Sequence, residues 1–186
     1  MKILVLYGTT EGQTRKICEA VAKQLRGHGD VVTLVDATGT TDIIDLRDFD
    51  AAILAASLHA GQYQTSVAHF ARANHAWLNR IPSAFISVSL SAAGTDPDDL
   101  KSIADCAERL KADTGWTTNE VHHVAGAFRF TEYDFFKRWV MKLIAWEKKV
   151  TVAPGQDLEL TNWDVLAETV DAMRARFADK AAAKPR

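Results

Sequence analysis

Three threonines and a glycine, Thr9, Thr10, Gly12 and Thr14, fall within six residues of the stretch "YGTTEGQTRK". The stretch follows an apolar-biased run and precedes a helical pattern, so a strand should lead through a hydroxyl-rich loop into a helix. A helix start offers free N–H groups and the positive end of the peptide dipole, which favour an anion. The threonine hydroxyls add donors, and Gly12 lets the backbone come close to the ligand. The chemistry is capture of a phosphate without a cationic side chain. The competing reading is a helix start capped over residues 10–13, with no ligand.

Two further loops have a composition suited to lying against a flat ring. "ASLHAGQYQ" carries Ser57, Leu58, His59, Ala60, Gly61 and Tyr63, and "SVSLSAAGT" carries Ser89, Leu90, Ser91, Ala92, Ala93 and Gly94. His59 and Tyr63 could pack on the ring, and residues 90–94 would contribute mainly backbone hydrogen bonds. His59 is also the one candidate proton carrier; its alternative is a solvent-exposed loop histidine.

The elements that must position these loops are legible as apolar runs over 2–7, 31–35, 51–57, 84–90 and 121–128, of a length typical of buried parallel strands. Helical spacing recurs over 14–26, 65–78 and 98–112, and "TDPDDL" supplies Pro97 and acidic residues where a helix starts. Residues 37–50 have room for a short helix only. Alternation of strand and helix predicts an α/β, doubly wound, five-stranded parallel sheet. Such sheets bind ligands beyond the carboxyl ends of their strands, which brings the three loops to one site.

Composition narrows the options. The chain has 186 residues, 47% hydrophobic, with a formal net charge of −2, as expected of one soluble domain lacking the basic field of a nucleic-acid binder. Cys18 and Cys106 are far apart and on helical patterns, so no disulfide framework or metal-binding pair is expected, and a cytoplasmic setting fits. No apolar run is long enough for a signal peptide or a membrane span. Gly8 is not followed by the GK[ST] of a nucleotide triphosphatase, and GxGxxG is missing, although Asp36 could imitate a ribose-binding acid. A receiver domain would need an aspartate where Ser57 stands.

"TTEGQT" resembles the T-x-T-G-x-T phosphate loop of the flavodoxin-like fold, with Glu11 where the pattern often has Thr. That resemblance implies strand order 2-1-3-4-5 and FMN held by Thr9, Thr10, Glu11, Gly12, Gln13 and Thr14, with the two later loops against the ring. "GQTRKI", "ASLHAGQY", "PSAFISVSL", "VAGAFRFTEYDFFKRWVMKLI" and "TNWDVL" further resemble the flavodoxin-like, menaquinone-dependent protoporphyrinogen IX dehydrogenases of bacteria, over nearly the whole chain. One position departs: Ala60 precedes the loop glycine where family members can carry an aromatic. The resemblance implies a single domain over 1–178, a helical insert at about 129–160 before the last helix, and a tail at 179–186.

If 135–149 is helical, Phe135, Phe136, Trp139, Val140, Leu143, Ile144 and Trp146 share one side, and Lys137, Arg138, Lys142, Lys148 and Lys149 the other. A core-packing helix with solvated lysines is one reading. A peripheral membrane contact on the inner face of the cell membrane, or a cover over an anionic ligand, is the other. The family implies protoporphyrinogen IX as electron donor, menaquinone or ubiquinone as acceptor, and a role in heme biosynthesis; Arg129, Lys137, Arg138 and Lys142 are then candidates for substrate or membrane contact. A flavodoxin-type electron carrier and an NAD(P)H-dependent quinone reductase are the alternatives. The near-neutral charge argues against a carrier steered to basic partners.

Overall fold

The computed structural model describes residues 1–39, 41, 44–128 and 158–182. Five parallel strands form its centre: β1 (Lys2–Gly8), β2 (Val31–Asp36), β3 (Ala51–His59), β5 (Ser83–Ser89) and β6 (Val121–Ala125), in the order β2-β1-β3-β5-β6. The short β4 (Gln62–Tyr63) folds back antiparallel on the end of β3. Counting only the parallel strands, this is the order 2-1-3-4-5 of a flavodoxin-like sheet.

Helices cover both faces. On β1 the pleat sends Ile3, Val5 and Tyr7 to one side, where they meet Ile17, Val21 and Leu25 of α1 (Gln13–Gly27) and Val170, Met173 and Phe177 of α4 (Trp163–Ala182). Leu4 and Leu6 point the other way, toward Phe70 of α2 (Thr65–Leu78), Leu110 of α3 (Pro97–Thr114) and the fully buried Trp116. The periodicity of 3.6 on the helices and 2 on the strands thus builds two cores separated by one sheet. Trp116 is seated by its own polar handle, since its indole N–H donates to Ser83 Oγ at 2.9 Å.

Element bounds follow the sequence closely for α2 and α3, while the described residues of 37–50 include a one-turn helix at Leu46–Asp48. The last apolar run divides. It leaves the sheet at Gly126, whose N–H donates to the Ser89 carbonyl, and continues as β7 (Ala127–Phe128) paired antiparallel with β8 (Leu158–Glu159). A Cβ at position 126 would lie 3.3 Å from Val88 Cγ1, so the chain turns here where a glycine allows close approach. Most of the expected insert, including the helix at 135–149 and Arg129, Lys137, Arg138 and Lys142, lies outside the described residues. Helix α4 runs on through Ala182, past the expected boundary at 178.

Candidate functional site

The carboxyl ends of β1, β3 and β5 surround a cavity of about 410 Å³, within the range of small-molecule and cofactor sites. Thr9, Glu11, Gln13 and Thr14 enter it from the first loop, residues 57–61 from the second, and Ser89, Leu90 and Ser91 from the third. The three loops singled out in the sequence therefore meet in one place.

The first loop is shaped from within. Thr9 Oγ1 accepts the Gly12 N–H at 2.9 Å, and Gly12 turns the chain into α1 with a φ of 90°, where a side chain would be strained. No side chain caps α1, so the N–H groups of its first turn keep their capacity for an external acceptor. Thr10 is exposed, and its hydroxyl accepts from Gln64 Nε2 at 2.8 Å.

Thr14 is the decisive residue. Its side chain is fully buried, it borders the cavity, and its Oγ1 has no hydrogen-bond partner among the described residues. A buried hydroxyl left unsatisfied costs about 1–3 kcal/mol, a penalty that an acceptor placed in the cavity would remove. Ser57 Oγ, which also borders the cavity, likewise has no partner among the described residues. Among the described residues no lysine or arginine lines this cavity, and its charged side chains are Glu11 and Asp99. An anion there would be held by hydroxyls and the α1 terminus, as a phosphate ester can be. The donor set fits the phosphate of FMN.

The second loop is a two-residue hairpin. Ala60 (φ 48°) and Gly61 (φ 78°) both take positive φ between the paired His59 and Gln62, the backbone demanded by a type I′ turn. His59 is exposed at the cavity wall. Tyr63 does not line this cavity: its ring packs edge-on against Phe85 with centroids 4.9 Å apart, and its hydroxyl shares a 2.8 Å hydrogen bond with Ser87 Oγ. Burial pushes the Tyr63 phenol up to about 12, against the opposing pull of the Ser87 bond.

In the third loop Ser89 Oγ accepts from the Ala92 N–H, and the N–H groups of Ala93 and Gly94 bond back to Leu90 and Ser91. Leu90 and Ser91 face the cavity, whereas Ala92, Ala93 and Gly94 form the turn behind them. The sequence reading missed Val88, Asp99, Ser102, Ile103, Cys106, Gly126 and Ala127, which also line it. Four of these sit on α3, where helical spacing reads simply as a core-facing stripe; Asp99 in the first turn was the available signal.

The flavodoxin domain model matches residues 4–152. Over 192 residues the chain is 29% identical to the protein named protoporphyrinogen IX dehydrogenase [quinone] of Leishmania major, covering 99% of this chain and 76% of that one. It is 26% identical over 167 residues to the protein of the same name from Escherichia coli (strain K12), covering 90% of this chain and 91% of that one. Among solved structures, a short-chain flavodoxin associated with a non-canonical PDU bacterial microcompartment superposes with a TM-score of 0.58 at 12% identity, covering 95% of this chain and 98% of that one. Rubredoxin oxygen:oxidoreductase from Desulfovibrio gigas superposes with a TM-score of 0.55 at 12% identity, covering 98% of this chain and only 37% of that one. These superpositions speak for the fold. With its strand order, its hydroxyl loop and a family match over most of its length, the chain belongs to the flavodoxin domain family.

Proposed function

We propose that this protein is an FMN-dependent oxidoreductase that takes electrons from protoporphyrinogen IX and passes them to a respiratory quinone, serving heme biosynthesis. The observation that carries the flavin part is the buried Thr14 hydroxyl, without a partner among the described residues, beside a helix start that no side chain caps. The donor and acceptor are supported by the name that both relatives bear over nearly this whole chain.

In this reading Thr9, Thr10 and Thr14, with the first N–H groups of α1, hold the phosphate. Gly12 and Gln13 shape the loop, and the Glu11 and Asp99 carboxylates can accept from the hydroxyls of the ribityl chain. Residues 57–61 and 89–91 flank the ring, and 92–94 brace the turn. Bound there, FMN supplies the two-electron redox chemistry, with three rounds per porphyrinogen. Tyr63, its phenol held protonated and hydrogen-bonded to Ser87, keeps the hairpin seated on the sheet. His59, exposed at the wall, is placed to exchange protons with water as electrons move.

The acceptor is dissolved in a bilayer. No helix among the described residues is long and apolar enough to cross a membrane. We propose that the basic residues Arg129, Lys137, Arg138 and Lys142 serve that approach by meeting anionic headgroups or substrate. Changing Lys137, Arg138 and Lys142 together to glutamine should lower binding to anionic vesicles, at about 1 kcal/mol per charge; a raised KM with vesicle binding unchanged would assign them to substrate instead.

The test of the function is anaerobic. Flavin-loaded protein is mixed with protoporphyrinogen IX or with NADH or NADPH, and flavin absorbance is followed. Bleaching by protoporphyrinogen and reoxidation by a soluble quinone are expected. Bleaching by a nicotinamide alone would make the protein a quinone reductase, and bleaching by neither would leave an electron carrier.

A further inference from the structure

We propose that the cleft between α2 and α3 is a carboxylate subsite in which Arg72 and Arg109 grip the acidic side arms of the substrate whose core reacts in the neighbouring cavity. The identity of the ligand rests on the function proposed above. The cleft itself stands on geometry.

A second cavity, of about 700 Å³, opens on the other side of the β3–β4 hairpin. It shares Ala60, Gly61 and Cys106 with the first, so one two-residue turn and one thiol form the wall between them. Arg72 enters it from α2 and Arg109 from α3. Each guanidinium is tethered at one point only. Arg72 Nε donates to the Asp113 carbonyl at 3.1 Å, and Arg109 Nη2 donates to Cys106 Sγ at 2.9 Å. Neither has a carboxylate partner within salt-bridge distance among the described residues, although the exposed arginines 15, 47 and 176 elsewhere on the molecule each do.

A guanidinium anchored by one N–H and turned into a concave space retains the planar fork that matches a carboxylate. Two such forks from facing helices suit a ligand with two carboxylates, or one carboxylate held from both sides. Asp113 also lines the cleft, which leaves the formal charge of its lining at +1 with His69 neutral. The plain alternative is a pair of solvated surface arginines. Against it stand their convergence in one cavity and the shared wall with the flavin site. Protoporphyrinogen carries two propionates, so a grip on its side arms here would set its core beside the Ala60–Gly61 turn.

The test uses protoporphyrin IX and its dimethyl ester, which share the macrocycle and differ in side-arm charge. Binding to the flavin-loaded protein is read by porphyrin fluorescence in the same detergent. The wild type should prefer the diacid at least tenfold. Arg72→Gln with Arg109→Gln should weaken the diacid tenfold or more, leave the diester and FMN affinity unchanged, and be partly rescued by lysine at both positions. Arg47→Gln, a remote charge change, should have no effect. Equal binding of diacid and diester by the wild type, or full diacid affinity in the double glutamine variant, overturns the subsite. Failure of protoporphyrinogen to reduce the wild-type flavin would sink the proposed function separately, and a diacid preference that still depends on the arginines would uphold the cleft as a carboxylate site.

Discussion

Gln13 Nε2 donates to Thr161 Oγ1 at 2.8 Å, and Thr161 in turn donates to the Ala125 carbonyl at 2.7 Å. One hydroxyl, 148 residues along the chain from Gln13, therefore ties the start of α1 to the end of β6. Lys16 reinforces the tie, with Nζ 2.7 Å from Glu159 Oε2 and 5.3 Å from the centroid of Trp163. That ion pair is half-exposed and contributes little by itself.

Thr161→Val should therefore destabilise the fold by about 1–3 kcal/mol, because the mutation leaves the Ala125 carbonyl and the Gln13 amide without this partner. Urea denaturation measures the loss. FMN affinity should fall severalfold in the same variant, since Gln13 opens the phosphate loop; affinity equal to wild type would show that the tie does not reach the loop.

Thr14→Val separates binding from stability. Valine keeps the shape and removes a hydroxyl that has no partner among the described residues. Thermal melting without flavin should be unchanged or improved, while FMN titration should show at least tenfold weaker binding, equivalent to the roughly 1.5–3 kcal/mol of a hydrogen bond to a charged group. A fall in Tm without any loss of affinity would place the phosphate elsewhere.

Gly8→Ala tests the approach of β1 to α2. The added methyl would lie 2.8 Å from Val67 Cγ2 and 2.9 Å from Gln64 Cβ. Overpacking of this kind costs about 1–3 kcal/mol, and the displacement of Gln64 should break its bond to Thr10. Calorimetry and FMN titration should both register the change.

Asp30 sets an acid limit. Burial pushes its carboxyl up, but the Arg174 guanidinium at 2.6 Å and the terminal ammonium of Met1 at 2.8 Å outweigh burial and hold it below the ordinary aspartate range. A depressed folded-state value means stability that is fully present above the unfolded value of about 3.9 and is lost as pH falls through the folded one. Asp30→Asn should cost about 3 kcal/mol at neutral pH and flatten the stability profile below pH about 4. A profile as steep as wild type in that range would assign the acid transition to other carboxylates.

Periodicity made the sheet and its covering helices legible, because an alternating Ile-Leu-Val-Leu strand between two helix stripes has few ways to bury both faces. The hydroxyl loop was legible for the same local reason: threonines at that spacing serve no core. The wall supplied by α3 was not, since Ile103 and Cys106 obey the same spacing whether they meet a sheet or a cavity. Tyr63 was read as a ring-stacking residue; the short β4 strand directs it instead onto Phe85 and Ser87, and two-residue hairpins leave little trace when Ala rather than Asn precedes the glycine. The pairing of Arg72 with Arg109 depends on two helices meeting, which no single stretch of sequence records.

The antiparallel clasp of β7 with β8 matches Ala127 to Glu159 and Phe128 to Leu158, and Leu160 donates to the Gly126 carbonyl. The polypeptide thus departs from and returns to a single point on the rim, and Gly126 and Ala127 at that point border the 410 Å³ cavity. Lengthening a closed excursion raises its entropic cost only logarithmically, so the sheet is nearly indifferent to what is threaded between the two halves of the clasp. The chain between the two halves of the clasp can accordingly change in length and composition without rewriting the sheet, so one segment can vary while the three ligand loops stay fixed.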